Sequence, residues 1–153
     1  MNMNSIKFEK VIYSYGRIDD VLREFFDEIK AEVYEKAKAS QKKFIVFDDL
    51  CTMVTKENLD NHLKLQKEKN YWYLFKNEEQ GYDEFLEYYN ENDYSTGWSF
   101  LDDIEYNYEK HEVKNFNEEY ERFTRTFINE ILKINQRGEY IITDVIIEFY
   151  FRD

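Results

Sequence analysis

Cys51 is the single thiol of the chain, and His62 and His111 are its two imidazoles. A thiol activated by an imidazole makes a nucleophile, and such a pair meets only in the fold. No known nucleophile signature surrounds Cys51, which reads first as a small buried hydrophobe. One Cys and two His cannot close a Cys/His zinc site. Asp48 and Asp49 follow the apolar run KFIVF, residues 43–47. Carboxylates at a strand end can hold Mg²⁺, and they serve equally well as turn residues or caps. Asp102 and Asp103 offer an acid and a base for hydrolysis, chemistry that needs a cleft and a raised pKa. Asp19 and Asp20 open a helix and read as cap and dipole partners. There is no P-loop, dinucleotide turn or Ser elbow, and four Gly leave little material for a phosphate-cradling loop. The expectation is a chain that is not an enzyme and that takes no cofactor and no metal.

Charge offers a different chemistry. Residues 78–121 hold fifteen Asp and Glu against Lys110 and Lys114, a net of −13. The other 109 residues carry eighteen acids and nineteen bases, a net of +1. The window also holds eleven aromatics: Phe85, Phe100, Phe116, Trp98 and seven Tyr. Charge runs are usually solvated faces, and Tyr with Phe usually builds core. Acid focused in one region and mixed with Tyr and Trp also forms a recognition surface for a basic partner. The expected partner-binding residues are Glu84, Glu87, Tyr88, Glu91, Asp93, Tyr94, Trp98, Asp102, Asp103, Glu105 and Glu109. Trp98 reads equally as a core residue that closes a loop.

Elements must position these groups. Residues 5–15 read as extended, with a bulge near Glu9 and Lys10 where the alternation shifts from Ile6 and Phe8 to Val11, Tyr13 and Tyr15. Residues 18–39 read as a helix with Ile18, Val21, Leu22, Phe25, Ile29 and Val33 on one stripe. Residues 43–47 read as a buried strand, and Thr55 caps a second helix to about Lys69. Residues 71–75 are strand-like. Residues 82–90 read as a short helix with Glu84, Glu87, Tyr88 and Glu91 opposite its apolar stripe. Ile104, Tyr106 and Tyr108 alternate with acids, which favours a strand. Residues 117–135 form the clearest helix, with Phe116, Tyr120, Phe123, Phe127, Ile131 and Ile134 in period. Asn117 reads as its cap, and Glu118, Glu119 and Glu121 favour its positive end. Gly138 ends it, and residues 139–152 read as a last strand. The expected fold is one α+β domain over residues 1–153. It has a sheet of about five strands, mixed or mostly antiparallel, with three longer helices and one short one.

The whole chain narrows the setting. Its 153 residues suffice for a core, and 42% hydrophobic content exceeds that of a disordered acidic tail. The start, MNMNSIK, reads as no secretory leader, and no apolar run approaches a membrane span. Net charge −12 repels nucleic acid and anionic membranes, so neither is an expected partner. Abundant Asn, Lys, Ile, Tyr and Phe, with no Pro, suit a low-GC bacterium or its phage, and a lone Cys suits a cytoplasmic setting. In size and charge the chain resembles anti-CRISPR and anti-restriction proteins. That resemblance implies an inhibitor, including a nucleic-acid mimic, that binds a basic nuclease or nucleic-acid-binding effector. A single acidic row is several-fold sparser than the phosphates of a duplex, so close mimicry needs several rows. The alternative is an immunity protein that neutralises a bacterial nuclease toxin. Residues 81–90, GYDEFLEYYN, resemble a helix of one class of toxin-immunity proteins but lack the Pro and Gly pair that flank it there. A carboxylate-dependent metal hydrolase is the third reading.

Overall fold

The computed structural model describes residues 4–12, 17–55, 57, 60, 96–100, 111–138 and 140–153. Strand β1 covers Ser5–Val11, helix α1 Ile18–Ser40, strand β2 Phe44–Thr55 and strand β3 Thr96–Trp98. A 3₁₀ turn at Val113–Asn115 leads into helix α2, Phe116–Arg137, and strand β4 covers Tyr140–Arg152. The sheet order is β1-β4-β2-β3, and every neighbouring pair is antiparallel. β1 and β2 therefore point the same way, with β4 between them and α1 as their connection.

Alternation along the strands decides which residues meet the helices. Ile45, Phe47, Cys51 and Met53 of β2 pair with Phe151, Phe149, Val145 and Ile142 of β4. All eight belong to the main core, which also takes the buried stripes of α1 and α2. Both helices lie on this face. Phe26 of α1 meets Tyr120, Phe123 and Phe127 of α2 at 6.4, 5.6 and 5.7 Å between ring centroids. Phe123 also stacks on Phe47 of β2 at 4.5 Å and 9°. The helices end where backbone conformation changes hand: Gln41 at φ 58° after α1, and Gly138 at φ 73° after α2. Gly takes this conformation without a Cβ clash.

A buried hydrogen bond ties the helices together. The Tyr120 hydroxyl donates to the Phe26 carbonyl at 2.5 Å. Burial, reinforced by Asp27, raises the Tyr120 pKa, so the phenol stays a donor. Tyr120→Phe should lower stability by about 1 kcal/mol. Urea denaturation would show this as a shifted midpoint with an unchanged slope; no shift would mean the hydroxyl adds nothing over its ring.

Several expectations are corrected. Among the described residues there are two α-helices and an antiparallel sheet of three long strands with the three-residue β3 at its edge. The result is a small α+β domain, not about five strands with four helices. The strand expected at 43–47 continues unbroken to Thr55, because Asp48 and Asp49 follow the strand's alternation instead of turning. Thr55 thus ends β2. The bulge is not at Glu9 and Lys10, since β1 pairs with β4 in constant register from Ser5 to Val11. It lies on β4, where Thr52 pairs with Asp144 but Met53 pairs with Ile142, leaving Thr143 extra. Val11 stays on the face away from the helices, and Ile12 is the next core residue. Helix α2 starts at Phe116, so Asn115 holds the cap position, without a side-chain cap bond, and Asn117 lies inside. The helix expected at 55–69 lies outside the described residues apart from positions 55, 57 and 60, and the elements expected at 71–75, 82–90 and 104–109 lie wholly outside.

Candidate functional site

Described residues of the acidic window meet the sheet along the outer edge of β2. At one end, Thr96, Gly97 and Trp98 pair with Met53, Thr52 and Cys51. Immediately afterwards the Ser99 hydroxyl and the Phe100 amide donate to the Asp49 carboxylate at 3.0 and 2.9 Å. Phe100 then enters the core and meets the Phe127 ring at 6.2 Å. At the other end, the Ile45 amide donates to the His111 carbonyl and the Val113 amide to the Lys43 carbonyl, both at 2.8 Å. Glu112 bridges to Phe44. The buried His111 ring stands edge-on to Phe47 at 5.1 Å, and its Nδ1 meets a Glu119 carboxylate oxygen.

Alternation explains why Asp49 can do this. It shares the helix-facing side with Phe47 and Cys51 and is 5% exposed. A carboxylate there is costly unless it is hydrogen-bonded. Ser99 and Phe100, two of its donors, come from about fifty positions later in the sequence, which no local spacing announces. Asp48 points to the opposite face, and its Oδ1 accepts from the Asp49 amide at 2.9 Å.

Cys51 is fully buried, and its Sγ donates weakly to Asp49 at 3.7 Å. Burial first, then the Asp49 and Asp144 charges, hold the thiol pKa well above its ordinary value. A thiol held protonated lacks the thiolate that attacks. His111 stands beside Phe47, four residues or about 13 Å along the strand from Cys51, too far to act as its base. His62 lies outside the described residues.

Asp144 forms a second buried carboxyl on the opposite face, between Val11 and Thr52 on the neighbouring strands. Its Oδ1 accepts from the Thr143 hydroxyl at 3.3 Å, while its Oδ2 has no hydrogen-bond partner among the described residues. Burial raises its pKa well above the usual value; hydrogen bonds from Thr52 and Thr143 oppose this, and Glu9 adds to it. Among the described residues no group of three or more His, Cys, Asp or Glu is arranged to hold a metal ion.

Of the expected contact residues, Glu84, Glu87, Tyr88, Glu91, Asp93, Tyr94, Asp102, Asp103, Glu105 and Glu109 lie outside the described residues. Trp98 is placed by its backbone in β3, with its side chain outside the description. Sequence reasoning missed Asp49 and His111 as fasteners of the window. It assigned Glu119 to the helix dipole alone, whereas Glu119 also holds His111. The signal for Asp49 was a lone acid in phase with Ile45 and Phe47.

Among the described residues no helix is long and apolar enough to cross a membrane. In comparisons with known proteins, no family model, curated protein or solved structure matches the chain.

Proposed function

We propose that the chain is a non-enzymatic inhibitor that binds a basic, nucleic-acid-targeting protein through an acidic surface built from residues 78–121. The observation that carries this reading is the net of −13 with eleven aromatics in 44 residues, against +1 in all the rest. Acids supply steering toward a cationic partner, and Tyr and Trp supply contact area. Ser99 and Phe100, and then His111, are hydrogen-bonded to β2, which supports the reading because a surface that must recognise a partner gains from a firm base. The setting that fits is the cytoplasm of a low-GC bacterium, with the inhibitor encoded by the host or its phage.

The test starts from an affinity pull-down out of such a host, with mass spectrometry naming the basic protein recovered. Binding kinetics then compare two triple variants. Glu84→Lys, Glu87→Lys and Glu91→Lys together should lower the association rate by at least about tenfold, with the effect shrinking as salt rises. Lys64→Glu, Lys67→Glu and Lys69→Glu together should fold and still bind. Should the lysine set abolish binding while the glutamate set leaves it intact, the acidic region is only a solvated face. A toxin gene immediately upstream would move the reading to an immunity protein.

A further inference from the structure

We infer that Arg23 of α1 and Arg125 of α2 form a binding site for the phosphate group of a small organic ligand. The inference goes beyond the proposed inhibitor role and uses none of its contact residues.

Packing in the core brings the two arginines together. Tyr34 meets Phe116 at 5.1 Å and Phe26 meets Phe127 at 5.7 Å, so α1 and α2 run antiparallel. Arg23 precedes Phe26 by three residues, and Arg125 lies between Phe123 and Phe127. Both arginines are exposed beside the seam between the helices, where they line a cavity of about 300 Å³. Glu121, Thr124, Ile128 and Asn129 complete the lining, with the buried Ile128 as its apolar part.

Charge in this cavity is the reverse of the chain's. Two guanidiniums line it with one carboxylate, in a protein of net charge −12. Other cations of these helices are held by acids: Arg17 by Asp20 at 2.8 Å, and Lys133 by Glu130 at 2.9 Å. Among the described residues neither Arg23 nor Arg125 has such a partner. Glu121 stands four residues before Arg125, a spacing at which helical ion pairs form, yet the two make none. Like charges sharing a cavity repel, and an anion bound between them removes that cost.

The donors set the ligand class. The Thr124 hydroxyl is already donated to the Glu121 carbonyl at 3.0 Å. The two guanidinium forks and the Asn129 amide are left. One fork saturates the two oxygens of a carboxylate. Two forks and an amide suit an anion with three terminal oxygens, which a phosphate monoester carries and a nucleic-acid phosphodiester lacks. The cavity lies at the lower end of the range for small-molecule sites, which fits a small organic body beside the phosphate.

The isotope-labelled full chain is titrated with inorganic phosphate, glycerol phosphate and acetate at one ionic strength, with the arginine Nε–H signals followed by NMR. Both phosphates should shift the Arg23 and Arg125 signals saturably, the ester more tightly, and acetate only weakly. Arg23→Gln and Arg125→Gln should each weaken phosphate binding by about tenfold or more. Glu121→Gln should tighten it about threefold, because the opposing charge is gone. Lys133→Gln, which removes a cation elsewhere on α2, should leave it unchanged. All four side chains are exposed, so the variants should fold as the wild type does. Shifts that do not saturate overturn the site. So does an equal loss in Lys133→Gln, which would mean general charge attraction. Equal binding of acetate and phosphate overturns the phosphate assignment. Equal affinity for the ester and inorganic phosphate overturns the organic ligand in favour of free phosphate.

Discussion

Phe123→Ala should destabilise the protein by about 3–5 kcal/mol, a large share of the roughly 5–15 kcal/mol that holds an ordinary domain together. Phe123 is 0% exposed. Its ring stacks on Phe47 of β2 and meets Phe149 of β4 at 5.8 Å, Phe26 of α1 at 5.6 Å and Phe127 of its own helix at 6.0 Å. Truncation therefore leaves a void shared by both helices and the two central strands. No single side chain can fill it without pulling away from another partner. Phe123→Leu keeps most of the volume and should cost clearly less. Urea unfolding of the two variants measures both. A loss under about 1 kcal/mol for the Ala variant would show that the helices close onto the sheet more freely than this packing implies.

Asp144→Asn should change how stability depends on pH. Burial raises the folded-state pKa of Asp144, whereas the unfolded chain releases that proton near pH 3.9, about the ordinary Asp value. Between those two pKa values the folded state holds the extra proton. The contribution of Asp144 to stability is thus complete below about pH 4 and is lost as pH rises through the raised pKa. One proton sets a slope of up to about 1.4 kcal/mol per pH unit. The Asn variant lacks that slope, so it should gain on wild type steadily as pH climbs. Glu28→Gln, at an exposed position on α1, controls for the mutual repulsion of an acidic chain. Urea midpoints from about pH 4.5 to 8 give the comparison. Parallel curves for Asp144→Asn and wild type would show that Asp144 is ionised in the fold throughout.

The helices were readable because one face repeats every 3.6 residues. Ile18, Leu22, Phe25, Ile29 and Val33 are buried as their spacing implies, and so are Phe116, Tyr120, Phe123, Phe127 and Ile131. Phe26 escaped because it sits beside the stripe and turns toward α2, a neighbour that a local window does not contain. β4 was readable from Val145, Ile147, Phe149 and Phe151. Two adjacent acids resemble a turn, so β2 reads short; Ser99 and Phe100, far along the chain, help make Asp49 acceptable inside a strand. The bulge was assigned to β1 from an apparent shift in its apolar residues, but β1 keeps its register and the irregularity belongs to its neighbour. For the candidate site, composition located the acidic window, and it could not reveal which buried groups fasten that window to the sheet.

The place of β4 carries a consequence for how the molecule comes into being. Ser5 pairs with Tyr150 and Phe44 with Arg152, so the middle of the sheet is the last of its strands to leave the ribosome. Until it arrives, β1 and β2 lack the neighbour that joins them, and each offers unpaired backbone to any passing strand. Closing contacts between residues as far apart as Ser5 and Tyr150 raises contact order, which points to folding in milliseconds or longer rather than microseconds. The nascent chain therefore spends its most adhesive interval with the other described elements made and the strand that completes the sheet still missing.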